Sequence, residues 1–199
     1  MDFAELSIPG AWLFTPRQHP DDRGLFLEWF KGDVVEKAVG HPLTIAQANH
    51  SVSKKDVLRG VHYAQRAPSQ AKYVYCTRGA FLDVIIDIRV GSPTYLQHEV
   101  ILLDDVDRRS IYLSEGLGHC ILSLADDSAV TYLVSTPFAP DNEHGVNPTD
   151  PALGIDWPVS TPLLSPRDEA APSLAEAAER GILPSYDECV AHAASLRTP

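Results

Sequence analysis

Apolar and polar side chains alternate along much of the chain between residues 47 and 135, which is the period of half-buried β-strands. The clearest example runs from Phe81 to Val90, where every even-numbered position carries leucine, isoleucine or valine. Many short strands at such regular spacing predict an antiparallel sandwich or barrel rather than strands alternating with helices. Besides 81–90, the pattern predicts strands at 47–53, 72–77, 95–103, 109–113, 119–124 and 129–135.

The N-terminal part contains further short elements. Leu6–Ile8 and Ala11–Phe14 are apolar runs separated by a Pro-Gly turn, and both are predicted as strands. Residues 25–30 are rich in the aromatic side chains that favour strands. Residues 33–39 fit two helical turns, with Gly40 in position to end them.

Prolines and turns dominate after about residue 140. Ser173 and Glu176 have the spacing of a capping box and predict a short helix that ends at Gly181. A second helix is predicted over 186–196. We therefore expect one mainly β domain over 1–199, with a barrel core over about 1–158 and a loop-and-helix tail over about 159–199.

The composition limits the classes of partner. A formal net charge of −11 argues against nucleic acid and against anionic membrane surfaces. No basic, apolar leader opens the chain and no run approaches a membrane span, so we expect a soluble, cytoplasmic protein. Three cysteines without a C-x-x-C pair fit reduced, structural thiols.

The predicted strand 47–53 places neutral polar side chains on one face. Gln47, Asn49, Ser51 and Ser53 share that face, whereas the intervening positions form the other. Such hydrogen-bonding groups suit a polar ligand cavity inside a barrel. A solvent-facing strand would have a similar pattern, and this stretch alone favours neither interpretation.

A cationic cluster follows directly. Arg59, His62 and Lys72 occur close together in an otherwise acidic chain, and Gly60 between the first two indicates a bulge or a close backbone approach. His62 has a side chain that takes and returns protons near neutral pH, while the two cations suit an anion. The competing interpretation is a solvated charged strand with a half-buried histidine.

The histidine spacing does not favour a metal site. No two histidines stand at i, i+2 or i, i+4, so the H-x-H arrangement of metal-binding cupins is absent from the sequence. His119 fits either a pocket wall or a satisfied core position. Tyr132 fits a core or rim position, and Asp168 fits a surface carboxylate or the start of a helix.

A series of short motifs follows one order along nearly the whole chain. They are Arg23 in Asp-Asp-Arg-Gly, Gln47-x-Asn49-x-Ser51, Leu58-Arg59-Gly60-x-His62-Tyr63, Gln70-Ala71-Lys72, Asp83-x-x-x-Asp87-x-Arg89, Gly91-Ser92-Pro93-Thr94, Tyr132, Glu143-His144-Gly145-x-Asn147-Pro148, Asp150-Pro151 and Leu164-Ser165-Pro166-Arg167-Asp168. No single motif is specific, but their joint order resembles that of the dTDP-4-dehydrorhamnose 3,5-epimerase family. The resemblance is greatest to members from deoxysugar pathways of antibiotic-producing bacteria.

The resemblance implies a metal-free and cofactor-free, cupin-like jelly roll that epimerises dTDP-4-keto-6-deoxyhexoses. It implies that His62 is the general base and that Asp168 pairs with it. Lys72 and Arg59 would stabilise the enolate, and Tyr132 would return a proton from the opposite face.

The resemblance also implies the binding residues and a homodimer. Arg23, Phe26 and Glu28 are expected to reach a partner's site across the dimer interface, with the last two near the thymidine. The residues expected to cradle the sugar and diphosphate are Arg23, Gln47, Asn49, Arg59 and Lys72. Phe138, Glu143 and His119 are expected as further substrate-binding residues, with Asp83 and His119 supporting the site from behind.

Two departures from the family pattern leave the regiochemistry open between C3, C5 and both. Phe138 stands where the family commonly has tyrosine, and the segment 116–121 differs from its usual Ala-His-Gly-Phe run. Two other functions remain as alternatives. One is a non-catalytic nucleotide-sugar-binding cupin, which the presence of His62, Tyr132 and Asp168 together disfavours. The other is a metal-dependent cupin enzyme.

Overall fold

A computed structural model describes residues 1–197, which fold mainly into antiparallel strands. These pair as a six-stranded sheet in the order β1-β2-β10-β7-β12-β5, a five-stranded sheet in the order β13-β6-β11-β8-β9, and the separate hairpin β3-β4. The strands are β1 (Asp2–Glu5), β2 (Ala11–Thr15), β3 (Gln18–Asp21), β4 (Gly24–Leu27), β5 (Gln47–Ser53), β6 (Leu58–Ala64), β7 (Lys72–Arg78), β8 (Ala80–Ile86), β9 (His98–Asp104), β10 (Ser110–Leu113), β11 (Gly118–Ser123), β12 (Ser128–Val134) and β13 (Glu143–Gly145).

Short helices complete the described chain, and the predicted ones are confirmed. Gly40 ends the first helix in the left-handed conformation, and Ser173 and Glu176 form the predicted capping box. None of the helices in residues 1–197 combines the length and apolar character needed to cross a membrane. The helices are α1 (Gly32–Val39), α2 (Pro166–Glu169), α3 (Leu174–Glu179) and α4 (Tyr186–Leu196), with a 3₁₀ turn at Pro151–Leu153.

Alternation along the strands creates a core between the two sheets. On β7, Val74 and Cys76 face the five-stranded sheet and pack with Phe81, Ile85 and Ile121. Lys72 lies on the same face of β7, one step beyond Val74, where the space between the sheets becomes polar. The space between the sheets is therefore apolar at one end and polar at the other.

The outer faces of both sheets are covered by other elements. Helix α1 packs Val35 and Val39 against Phe14 and Tyr73 of the six-stranded sheet. The C-terminal segment packs Leu174 and Ala177, together with neighbouring apolar residues, against the outer face of the five-stranded sheet. Strands covered on both faces are held firmly, because apolar side chains on either side are removed from water and closely packed.

Four sequence predictions of strands are wrong in their bounds. The strand predicted from the aromatic residues 25–30 ends at Leu27, and the one predicted at 95–103 begins only at His98. Leu6–Ile8 is not a strand, because Leu6 N–H donates to the carbonyl of Ala11 and closes a turn, and the first strand precedes it at Asp2–Glu5. The predicted strand 81–90 ends at Ile86. Beyond it the backbone folds around the Asp87 carboxylate, which accepts hydrogen bonds from Arg89, Ser92 and Thr94.

Candidate active site

The polar end of the space between the sheets is a cavity of about 430 Å³, a size typical of small-molecule sites. Both sheets and α2 contribute to its wall. Ten of the predicted site residues line it, namely Gln47, Asn49, Arg59, His62, Lys72, His119, Tyr132, Phe138, Glu143 and Asp168. Other lining residues are Ser51, Gln70, Val74, Ile121, Val130, Ser165 and Arg167.

A bulge at Gly60 brings Arg59 and His62 to the same cavity. Residues three apart in a regular strand point to opposite faces of the sheet. On the neighbouring strand β11, however, the partner of His62 is His119 and the partner of Arg59 is Ile121, so three steps on β6 oppose two on β11. The bulge that the sequence indicated is confirmed, and it turns both side chains inward.

Replacing Gly60 with alanine is expected to destabilise the fold by about 2–4 kcal/mol, since the position adds backbone strain to overpacking. Its φ is +121°, and a Cβ there would lie 2.4 Å from Cys120 Cβ and 2.5 Å from the His119 carbonyl oxygen. Urea unfolding measures the effect. Gly32→Ala is the control, because its Cβ would meet nothing nearer than Phe30 at 4.0 Å. Equal midpoints for the two variants would contradict the prediction.

His62 is paired with Asp168. The His62 Nε2–H donates to Asp168 Oδ1 at 2.6 Å, and Ser165, the N-cap of α2, accepts a hydrogen bond from the Asp168 backbone. Burial by itself raises the pKa of Asp168, but hydrogen bonding and the charge of His62 outweigh it, so the pKa lies below its ordinary value. The ionised carboxylate therefore accepts the hydrogen bond from Nε2–H, so a neutral His62 ring carries its lone pair on Nδ1.

Lys72 is buried in the cavity wall on β7. Burial lowers the pKa of its ammonium, and the negative charges of Glu143 and Asp83 oppose that effect only in part. The pKa thus lies below the ordinary lysine value. A buried ammonium in a cavity is placed to stabilise an anion, because the low local dielectric strengthens the attraction.

Tyr132 enters the same cavity from the other sheet. It lies on β12, paired with Asn49 on one side and Val74 on the other, whereas His62 lies on β6 of the five-stranded sheet. Burial raises the pKa of its phenol, and Glu143 raises it further against the opposing charge of Arg59. Tyr132 is therefore a neutral proton donor at neutral pH.

Two further arrangements support the cavity wall. His119 Nε2 lies 3.0 and 2.9 Å from the two carboxylate oxygens of Asp83, which is fully buried behind it. Arg59 donates from Nε to Ser53 Oγ at 3.1 Å, which fixes the plane of its guanidinium. His119 thus forms part of the pocket wall, one of the two environments that the sequence left open.

Three predicted binding residues lie outside this cavity. Arg23, Phe26 and Glu28 belong to the β3-β4 hairpin and the residue after it, not to the cavity wall. The Phe26 side chain is 67% exposed, and Arg23 pairs only with its neighbour Asp21 among the described ion pairs. Within one chain these residues do not reach the site.

Sequence reasoning did not assign a site role to Gln70, Ser165 or Arg167, although all three belong to the motifs that carry the family resemblance. The spacing of these three residues in the sequence does not indicate a shared site, because they lie in loops and in a four-residue helix. Among residues 1–197, no three histidine, cysteine or acidic side chains converge in a way that could hold a metal ion.

Comparison with known proteins identifies the family. A family model described as dTDP-4-dehydrorhamnose 3,5-epimerase matches residues 5–176. The dTDP-4-dehydrorhamnose 3,5-epimerase of Mycolicibacterium smegmatis is 57% identical over 198 residues, which cover 99% of this chain and 98% of that protein.

Solved structures agree with this assignment. The rmlC epimerase of Mycobacterium tuberculosis has a TM-score of 0.97 at 48% identity, covering 99% of this chain and 100% of that one. ChmJ from Streptomyces bikiniensis, a 3'-monoepimerase solved with dTDP-quinovose, has a TM-score of 0.94 at 47% identity, covering 97% and 98%. These matches confirm the predicted cupin-like jelly roll with short helices. The chain belongs to the dTDP-4-dehydrorhamnose 3,5-epimerase family and is a carbohydrate epimerase of that type.

Proposed function

We propose that this enzyme inverts C3, C5 or both in a dTDP-4-keto-6-deoxyhexose by proton transfer next to the C4 ketone. One observation carries the proposal. The Asp168-paired His62 and the neutral phenol of Tyr132 line one cavity from two different sheets. Inversion needs a base and an acid on opposite sides of one carbon, and the placement of these two residues on different sheets around one cavity supports that assignment.

The first step removes a proton from C3 or C5. His62 Nδ1 accepts the proton, and the electrons of the C–H bond move through the C3–C4 or C4–C5 bond onto the ketone oxygen. Asp168 stabilises the imidazolium that forms and keeps the ring oriented. Lys72 and Arg59 stabilise the enolate oxygen, an interaction that in other enzymes contributes about 3–4 kcal/mol per donor.

The second step returns a proton from the other face. Tyr132 donates its hydroxyl proton to the carbanionic carbon, the C4 ketone re-forms, and the configuration is inverted. A proton returned by His62 instead restores the starting sugar. Solvent exchange without inversion and inversion itself are therefore separable outcomes of the same enolate.

Substrate binding follows from the rest of the cavity wall. Gln47 and Asn49 are suited to the sugar hydroxyls, while Arg59 and Lys72 are suited to the diphosphate and the enolate. Phe138 is 52% exposed at the cavity and offers an aromatic face without a hydroxyl. The relatives include both 3,5-epimerases and a 3'-monoepimerase, and the position of inversion distinguishes these two types.

We further propose a homodimer in which Arg23, Phe26 and Glu28 of each chain complete the site of the other. The exposed Phe26 and the fully exposed Arg23 on a hairpin outside their own cavity support this arrangement. Sedimentation velocity is expected to show a dimer at micromolar concentration. Phe26→Ala should raise KM for the nucleotide sugar more than it lowers kcat, and an active monomer would contradict the proposal.

The decisive test is incubation with dTDP-4-keto-6-deoxyglucose in D2O, followed by NMR of the sugar. Deuterium at C3, C5 or both is expected, and its position assigns the regiochemistry. A folded protein that exchanges no hydrogen of any 4-keto sugar would overturn the proposed function and leave a non-catalytic binding protein. Stoichiometric iron, nickel or manganese required for exchange would indicate the metal-dependent alternative.

A further inference from the structure

The segment between β12 and β13 contributes Phe138 to the cavity wall and is tied down by Glu143. Oε1 of Glu143 accepts a hydrogen bond from the Ala139 backbone N–H at 3.2 Å and another from Gln70 Nε2 at 3.4 Å. Gln70 also donates to the Thr136 carbonyl at 3.0 Å. Two N–H donors therefore fix one oxygen of this carboxylate, so its charge stays in place when a ligand enters.

Glu143 is one of two carboxylates in the cavity wall, and the other, Asp168, is committed to His62. The remaining charged or titratable groups come from every element around the cavity. They are Arg59 and His62 on β6, Lys72 on β7, His119 on β11 with Asp83 on β8 behind it, Tyr132 on β12, and Arg167 on α2.

Two of these groups must carry a proton for the proposed reaction. Lys72 stabilises an enolate only as the ammonium, and Tyr132 donates a proton only as the phenol. Burial disfavours the charged form of Lys72, and a nearby negative charge opposes that tendency. Burial is the larger influence on both groups, lowering the pKa of Lys72 and raising that of Tyr132, and the negative charge of Glu143 acts upward on both pKa values.

We propose that Glu143 is a positioning residue whose fixed negative charge holds Lys72 as an ammonium and Tyr132 as a phenol, a role that rests on the proposed function. Glu143 does not transfer a proton itself. Its neutral isostere should therefore lose epimerase activity at a lower pH than the parent does as the solution becomes alkaline.

Glu143→Gln separates the charge from the hydrogen bonds. Glutamine keeps an oxygen that accepts from Ala139 and Gln70 but removes the negative charge. We expect the alkaline limb of the kcat/KM profile for epimerisation to move to lower pH by about one unit or more. The sign follows from the cause, since losing the anion lowers the pKa at which Lys72 and Tyr132 release their protons.

Two matched variants isolate the effect. Asp141→Asn removes one negative charge from the same segment at an exposed position outside the cavity wall and should leave the limb where it is. Glu143→Asp keeps the charge but shortens the side chain, so it should raise KM with a smaller shift of the limb. An unmoved limb in Glu143→Gln would overturn the proposal.

A direct titration keeps the test independent of turnover. The Lys72 ¹⁵Nζ signal, assigned with Lys72→Met, is expected to report an ammonium at pH 7 in the parent protein and an earlier titration in Glu143→Gln. A neutral Lys72 at pH 7 in the parent would overturn the proposal even if Glu143→Gln failed to fold. A parent protein that exchanges no hydrogen of a 4-keto sugar would instead refute the proposed function.

Discussion

Replacing His62 with alanine is expected to reduce deuterium incorporation from D2O into the 4-keto sugar by about 100-fold to 10,000-fold, the range attributed to a positioned general base. The His62 imidazole has a free nitrogen that can accept a proton, because Asp168 holds its other nitrogen in the donor form. Alanine removes the imidazole, so Asp168 stays in the cavity wall without the ring that it orients. Initial rates of exchange by NMR measure the effect.

The matched control is His98→Ala, which removes a half-buried imidazole from edge strand β9 outside the cavity. Its exchange rate should stay within about twofold of the parent, and urea unfolding of both variants separates loss of the base from loss of folded protein. Exchange that survives in His62→Ala at the parent rate would show that another group removes the proton, and the assigned base would be wrong.

Replacing Tyr132 with phenylalanine is expected to separate inversion from exchange. Net inversion should fall by about 100-fold or more, since the phenol is the proposed acid, whereas exchange should stay within about tenfold of the parent rate. The reason is geometric: His62 still forms the enolate from its own sheet and can return a deuteron to the same face. NMR of the product configuration and of the label, taken from one reaction, gives both rates.

Tyr95→Phe provides the control for a lost tyrosine hydroxyl, because Tyr95 is exposed and lies outside the cavity wall. It should leave both rates unchanged. A Tyr132→Phe enzyme that inverts as fast as the parent would remove Tyr132 from the mechanism. A variant that loses exchange and inversion to the same extent would indicate that Tyr132 acts in enolate formation instead.

Local patterns predicted the strands well where neighbouring side chains alternate in polarity. The bounds of β5 were predicted to the residue, and its polar face does line the cavity through Gln47, Asn49 and Ser51. Alternation works here because one face of the strand meets the interior and the other does not. It failed at Asp87, whose carboxylate gathers hydrogen bonds from a loop and ends the strand early.

The residues of the site were predicted from the joint order of the motifs, not from local alternation of polarity. The family motifs identified His62, Lys72, Tyr132 and Asp168, but their own spacing did not show that they share a cavity. Asp168 lies 106 positions from His62 along the chain, and their 2.6 Å contact exists because α2 packs against β6. No periodicity within a strand or helix encodes a contact across such a separation.

By itself, the amino-acid sequence determined the mainly β architecture, the polar strand faces, the helix caps and the membership of the family, because these follow from near neighbours or from the joint order of motifs. Only the tertiary structure decided that the Gly60 bulge turns Arg59 and His62 to one side, that Tyr132 faces the same space from the other sheet, and that Glu143 is fixed in the cavity wall. Those facts depend on how two sheets and the loops between them pack, and packing is set by contacts between residues far apart in the chain.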